Sequence, residues 1–376
     1  KPRAVIEAMT RVYEMGYANI HRGAYRISQD LTAEFEAVRT KIARFIGAES
    51  EKTIIFTRNA TESINLVAQS WGRTFLKSGD EVILTAMEHH ANIVPWQLLQ
   101  AQIGIVIKVV PVRDDGTLDL DTYRDLLSPK TRLVGAVHIS NALGTINPVK
   151  EIVALAKRYN PAIKVLIDGS QGIVHRSIPM QELGADFYVF TGHKLYGPTG
   201  IGVLYGKPEV LESMPPYQGG GDMIETVSFE GTTFKPPPYR FEAGTPAIVE
   251  VIGLGAAIDY MAQCGFSDVQ AHEGALLHYG TEALSHVQGL KMLGDAPYED
   301  KAGIFSFTMA GMHPSDVGMI LDQCGVAVRT GHHCCMPLMA RFGVSGTIRA
   351  SLGLYSTRED IDALVQGLEK ARDLLL

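Results

Sequence analysis

The chain has 376 residues, 46% hydrophobic and 20% charged, an ordinary globular composition that is too long for one small domain and predicts two or three. Thirty-four basic against 41 acidic residues leave a net charge of −7 with no basic run, which argues against a nucleic-acid partner, and no stretch reaches the roughly 18 apolar residues of a membrane helix. Four cysteines, Cys264, Cys324, Cys334 and Cys335, are too few for a disulfide framework and point to a reducing, cytoplasmic-type compartment. The chain opens at Lys1-Pro2 without Met, straight into an amphipathic pattern. This leads us to expect a natural start upstream and leaves an organellar targeting peptide open.

In chain order, short β-branched runs predict buried strands at 53–57, 82–85, 104–111, 132–137, 163–167, 187–190 and 201–205. Helical periodicity occupies 60–76, 91–102, 119–127 and 149–159 between them. This alternation predicts an α/β domain built on a mostly parallel sheet, with ligands at the carboxyl ends of its strands. The segment 214–246 is rich in Pro and Gly, and its length reads as a functional irregular stretch. Helical patterns at 247–263 and 267–286 follow, then short strands near 289–293, 302–308, 325–329 and 347–352. A last helix, 358–375, is introduced by Thr357-x-x-Asp360, a relative of the capping box. We expect two domains, 1–250 and a smaller α+β unit at 251–376, with the first helix free to pack on the smaller one.

Several loops carry chemistry. Asn59-Ala60-Thr61-Glu62 opens a helix after a strand and presents free N–H groups, which suit a phosphate but also serve as an ordinary cap. In Glu88-His89-His90 an imidazole is placed to stack on a planar ring. Asp168 ends a strand and faces a ligand, or serves as a turn residue. Lys194, in a glycine-punctuated loop, is the residue type that forms a Schiff base; alone, a solvated lysine is the commoner case. Together, an acid and a later lysine are what a pyridoxal phosphate site needs. In Arg329-Thr330-Gly331-His332-His333-Cys334-Cys335, a thiol flanked by two imidazoles and close to a guanidinium has a route to thiolate. Zinc is the lesser reading, because four consecutive neighbours do not close around one tetrahedral ion, and no metal is expected. On an extended loop, adjacent side chains point to opposite sides, so Cys334 and Cys335 are not expected to face one substrate together. Arg349 is placed to clamp a carboxylate.

The motifs RNATESINLVAQSWG, MEHHANIVPWQ, HISNALGTINP, LIDGSQG, FTGHKLYGPTGIG, FEAGTP and RTGHHC, spread over nearly the whole chain, resemble those of a group II (SufS-like) cysteine desulfurase. That group lies in the class V aminotransferase family of fold-type I (aspartate aminotransferase-like) pyridoxal phosphate enzymes. The resemblance implies a large domain with a mostly parallel seven-stranded sheet and a smaller α+β domain. It makes Lys194 the Schiff-base lysine, Asp168 the partner of the pyridine nitrogen and His89 the stacking residue. Asn141 and Gln171 would reach the phenolic oxygen. Thr61, Thr191, His193 and the amide of Ala60 would hold the phosphate, with Thr245 serving the neighbouring subunit of a homodimer. Cys334 would form the persulfide, and Arg329, Arg349, His21 and Asn141 would bind the substrate. The implied activity converts L-cysteine, with L-selenocysteine as an alternative, to alanine and supplies sulfur for iron–sulfur cluster assembly through a SufE-like or SufU-like acceptor.

The chain departs from the family pattern at Ala60, where some members have Thr, at Cys335 and Ser170, where Ala is usual, and in lacking the first segment ahead of Lys1-Pro2. The runner-up readings on the same scaffold are a selenocysteine lyase and a cysteine sulfinate desulfinase. An aminotransferase would have no use for the reactive cysteine. From a different class, a silent sulfur-carrier or metal-binding module remains the alternative.

Overall fold

A computed structural model describes residues 1–376. Helices α1 (Arg3–Met15) and α2 (Arg26–Phe45) lead into a seven-stranded sheet. Its strands are β1 (Ile54–Thr57), β2 (Glu81–Thr85), β3 (Val106–Val110), β4 (Thr131–Val137), β5 (Lys164–Asp168), β6 (Phe187–Thr191) and β7 (Gly202–Gly206), ordered β1-β7-β6-β5-β4-β2-β3. The pairs β3–β2, β2–β4, β4–β5 and β5–β6 are parallel, and only β7 runs against its neighbours β6 and β1. Alternate side chains serve two cores, one on each face. Phe56, Ile83, Val134, Ile167, Tyr188 and Val203 enter one, while Ile55, Val82, Leu133, Leu166, Val189 and Leu204 enter the other. Burial on both faces is why these strands read as continuous apolar runs rather than alternating ones. Only β3 is largely exposed, as an edge strand.

The strand order positions the site. β3 lies outside β2 and β4 returns to its other side, so a crevice opens at the carboxyl ends of β2 and β4, where the order reverses. The register Thr57↔Gly202↔Thr191 brings the end of β1 to the end of β6 across β7. Gly202 permits this: a Cβ there would lie 2.5 Å from the Asn59 backbone. Helix α3 (Ala60–Val67) therefore starts beside the loop that follows β6. The helix expected over 60–76 is instead α3, a wider π turn at Ala68–Gly72 and a short turn Arg73–Phe75. Helices α4 (Val94–Ile103), α5 (Leu120–Leu126) and α6 (Val149–Tyr159) are crossovers of the sheet, close to their expected spans.

The stretch 214–246 is not wholly irregular. It contains the hairpin β8 (Ile224–Val227) and β9 (Thr232–Phe234), exposed along nearly its whole length. Without a core face it has no apolar alternation, and so it left no strand signal in the sequence. Helix α7 (Ile248–Cys264) is largely apolar, and ten of its seventeen residues are buried. The first helix packs against it, and a Cβ at Gly253 would come within 2.9 Å of Met9 Sδ. The expected boundary at 250 falls inside α7.

Helix α8 (Phe266–Ser285) leads to a four-stranded antiparallel sheet of β10 (Leu290–Met292), β11 (Ile304–Met309), β12 (Arg329–Gly331) and β13 (Thr347–Ser351), ordered β10-β11-β13-β12. The strand expected near 325–329 begins only at Arg329. The preceding Gly325 takes φ +79° to turn the chain out of α9 (Pro314–Gln323), and β13 offers partners only from Arg329 onward. After β12 comes the short helix α10 (Met336–Arg341). The last helix, α11 (Arg358–Leu375), starts with the reciprocal capping box between Thr357 and Asp360. Leu277, Phe305, Phe307, Val317, Ile348, Leu364 and Leu368 form the core between this sheet and its helices. No single helix is long and apolar enough to cross a membrane.

Candidate active site

Four parallel strands deliver their loops to one edge of the large sheet. Asp168, the last residue of β5, is 4% exposed; its Oδ1 accepts the Ser170 N–H at 3.0 Å, and its backbone carbonyl accepts the His138 N–H at 2.8 Å. Behind it, a Cβ at Gly169 would lie 1.9 Å from the Tyr188 ring, so only glycine lets the turn after Asp168 close on β6. After β6, Lys194 lies part-buried in a cavity of about 310 Å³ that Gln171, His193, Tyr196 and Gly353 also line. Burial pulls the Lys194 ammonium below its usual range, helped by the charges of Arg349 and Arg329 and opposed by Asp168. An amine so placed is easier to free of its proton than a solvated lysine.

His89 is fixed by the Ala91 N–H, which donates to its Nδ1 at 3.0 Å and leaves the proton on Nε2. Burial lowers its affinity for a second proton, as do Lys194, His90 and Arg329, while Asp168 opposes them. At the start of α3, Asn59 takes the Glu62 N–H on its side chain and the Ser63 N–H on its carbonyl. The N–H groups of Ala60 and Thr61, the first two of the helix, have no intrahelical partner and face anions well. Thr191 Oγ1 and His193 Nδ1 stand 2.9 Å apart across the register from that helix start.

The small sheet brings the second half. Arg329 and Arg349 are direct cross-strand partners on β12 and β13. Like charges so placed repel, and a carboxylate between them would relieve the repulsion. Arg349 Nη1 donates to Asn141 O at 2.8 Å, and its Nε is buried without a partner. Burial first, then Arg329, weakens its hold on its proton. Cys334 Sγ lies 3.6 Å from Arg329 Nη2.

The geometry of the thiol loop differs from the expectation. His333 and Cys334 both have left-handed backbones, φ +52° and +58°, a conformation that costs roughly 1–2 kcal/mol per non-glycine residue. The loop is therefore not extended, and the alternation argument for the two thiols does not apply. They are separated all the same. Cys334 is part-exposed by Arg329, whereas Cys335 is fully buried and donates to Asn141 Oδ1 at 3.2 Å. Burial pushes the Cys335 thiol up to about 12. Nor is Cys334 flanked by two imidazoles. The His333 ring is turned into the core, with Nε2 on Thr347 Oγ1 at 2.8 Å, and burial brings it down to about 4. His332 Nδ1 accepts the backbone N–H of Cys334 at 3.1 Å. The guanidinium is the cationic neighbour of the sulfur.

Residues 1–364 match the profile of the family described as Aminotransferase class-V. The chain belongs to that family. Among its relatives, a cysteine desulfurase of Yersinia pestis (strain Pestoides F) is 50% identical over 376 residues, covering all of this chain and 91% of the relative. The crystal structure of the cysteine desulfurase CsdA from Escherichia coli superposes with a TM-score of 0.93 at 40% identity, over all of this chain and 93% of that one. A variant of the protein C-DES, solved with glycine covalently linked to its PLP cofactor, has a TM-score of 0.84 at 25% identity over 98% and 93% of the two chains.

Within this class V enzyme, His89, Asp168, Lys194, Arg329 and Arg349 stand within electrostatic reach of one another, and Gln171 and His193 line the Lys194 cavity. Asn141 meets Arg349, Cys334 meets Arg329, and Ala60 and Thr61 open the helix that starts across the register from Thr191. Two expected residues stand elsewhere. His21, with φ +66°, gives Nε2 to Glu36 at 2.9 Å and packs edge-on against Phe35 and Tyr239. Thr245 is exposed on a second cavity, lined by Arg58, Glu62 and Tyr217. Both stand on the surface formed by Glu242, Gly244 and Pro246. Asn141 is already committed within the protein: its Nδ2 donates to His333 O at 2.7 Å while its Oδ1 accepts from Cys335.

Sequence reasoning passed over Glu88. Fully buried, it accepts from Thr85 Oγ1, from Val137 N at 2.8 Å and from Asn92 Nδ2 at 2.8 Å, and Trp96 Nε1 fixes Asn92 in turn at 3.0 Å. Burial, with the nearby charge of Asp168, raises it to about 8. Its only signal was an acid set between the apolar run of β2 and the paired histidines.

Proposed function

We propose that this chain is a pyridoxal-phosphate-dependent cysteine desulfurase, converting L-cysteine to L-alanine and retaining the sulfur on Cys334 as a persulfide. The observation that carries this reading is the convergence of Lys194 and Asp168 at the large sheet's edge with a cysteine held under the paired arginines of the small sheet. The donor set fits the cofactor: a buried acid with one oxygen left to a ring nitrogen, an amine of lowered basicity, and two helix-start N–H groups for a phosphate. When bound, pyridoxal phosphate supplies a carbonyl for the substrate amine and a ring that accepts the electron pair released at Cα.

In this reading Asp168 would pair with the ring nitrogen, His89 would stack on the ring, and Gln171 and Asn141 would serve its phenolic oxygen. Ala60 and Thr61 N–H, Thr191 and His193 hold the phosphate. Lys194 Nζ takes the Cα proton, and Arg329 with Arg349 grips the substrate carboxylate. Cys334 thiolate attacks the substrate sulfur, the Cβ–Sγ bond breaks, and its electron pair stays on the carbon fragment, which is protonated to alanine. The thiol must lose its proton first, and the Arg329 guanidinium stands 3.6 Å from its sulfur.

The same reading takes 1–250 as the cofactor-binding domain and 251–376 as the smaller domain. His21 and Thr245, which line cavities other than that of Lys194, would serve the site of a second copy, which favours a homodimer. Four unpaired cysteines favour a reducing, cytoplasmic compartment. A SufE-like or SufU-like acceptor would take the sulfur toward iron–sulfur clusters. The decisive experiment is intact-protein mass after addition of L-cysteine. We expect one added sulfur atom, mapped to Cys334 and matched by one alanine, and none in Cys334→Ser. Sulfur retained by Cys334→Ser would overturn the assignment.

A further inference from the structure

Two consecutive left-handed residues do not stay in place unaided: Asn141 Nδ2 holds the carbonyl of His333 at 2.7 Å, and two further contacts, at Cys334 and just beyond it, come from His90, which the proposed reaction leaves unused. The His90 N–H donates to Cys334 O at 2.8 Å. On the far side of the thiol, His90 Nε2 accepts the Met336 N–H at 3.1 Å. Met336 is the first residue of α10, whose N-cap Cys335 makes no side-chain cap, so this N–H would otherwise be an orphan of the helix start. The His90 ring also lies 5.5 Å from that of His332.

We infer that His90 is the positioning residue of the Cys334 loop: it grips the chain on both sides of the thiol, and the Met336 half of the grip exists only while its imidazole is neutral. This rests on Cys334 being the nucleophile, as proposed above. An N–H donor requires a bare Nε2, which fixes the proton on Nδ1; a second proton turns the acceptor into a donor that faces a donor. The groups around His90 do not favour that proton. His332 faces it from the thiol loop and His89 stands beside it, both able to carry only positive charge. Glu88, two residues back in the chain, is spent on Thr85, Asn92 and Val137; Cys335 is turned to Asn141; and Arg341 of α10 is bound to Val112 O and Asp114. Burial and His332 accordingly hold His90 below the usual histidine range. The latch is closed while the His90 imidazole is neutral, and acid opens it.

The test uses cofactor-loaded wild type, His90→Ala and His90→Gln. Glutamine keeps an acceptor at similar reach but does not titrate. The readout is hydrogen exchange resolved at the Met336 amide, corrected for the intrinsic pH dependence of exchange, with kcat and KM for persulfide formation alongside. We expect His90→Ala to lose at least about tenfold of Met336 protection at every pH and about tenfold in kcat, with KM within about twofold. His90→Gln should restore both to within about threefold. Wild-type protection should fall only as pH drops below the usual histidine range, and that of His90→Gln should not. Unchanged Met336 protection in His90→Ala, or the same acid-driven loss in His90→Gln, would overturn the inference. A wild type that shows the latch in exchange but forms no persulfide would instead fail the proposed function.

Discussion

The two halves of the crevice are held by different forces. Asp168 and Lys194 stand at the ends of strands buried on both faces, so their positions follow from the sheet itself. Cys334 stands on a strained turn of four residues between β12 and α10, held by hydrogen bonds from His90 and Asn141 across to the other sheet. The half that holds a ring and moves a proton is rigid by burial. The half that the proposed function has take up sulfur is held by a few separable contacts, and contacts of that kind can be released locally without unfolding the core.

Variants sharpen this contrast. The largest effect should come from Lys194→Ala, which removes tether and base together while leaving the fold intact. Alanine release should fall at least about a thousandfold, with an unchanged far-ultraviolet circular dichroism spectrum. Substantial alanine production by this variant would move the base elsewhere.

Asp168→Ala should follow, because an uncharged neighbour no longer keeps the ring nitrogen protonated. A loss of kcat by less than about tenfold, or roughly 1.4 kcal/mol, would show that the rigid half does not depend on this acid.

Glu88 tests the buried side through stability rather than rate. Its folded pKa of about 8 lies above that of an unfolded glutamate. The native state therefore binds the extra proton, and the contribution to stability is present at low pH and lost as pH rises toward 8. Wild type should lose up to about 1.4 kcal/mol per pH unit across that window relative to Glu88→Gln, measured by urea unfolding. Parallel curves for the two proteins would refute the assignment.

The smallest change is expected for Cys335→Ala. Its thiol is buried, bonded to Asn141 and hard to ionise, so persulfide yield should stay within a few-fold. A complete loss would make this thiol a relay and would reverse the roles of the pair.

Much of the architecture was legible in the chain. The seven strand runs, six of them buried as expected and β3 exposed at the edge, the crossover helices and the final helix with its Thr357–Asp360 box follow from local periodicity and capping, which act over a few residues. The placement of Asp168 and Lys194 at strand ends was legible for the same reason, since a parallel sheet puts all such ends on one side. The β8–β9 hairpin was not legible, because an exposed ribbon needs no apolar pattern.

What only the tertiary structure decided is which side chains face each other. Arg329 and Arg349 are twenty residues apart and become neighbours by the register of β12 on β13. His333 and Cys335, which read as reactive next to Cys334, are buried, and the left-handed torsions at His333 and Cys334 on which the loop turns are announced by no local pattern. His90, read beside His89 as half of a pair, reaches the thiol loop from a different sheet. Periodicity reports how a segment meets its nearest layer. The direction of a side chain in a loop depends on hydrogen bonds to residues hundreds of positions away, and these exist only once the chain has folded.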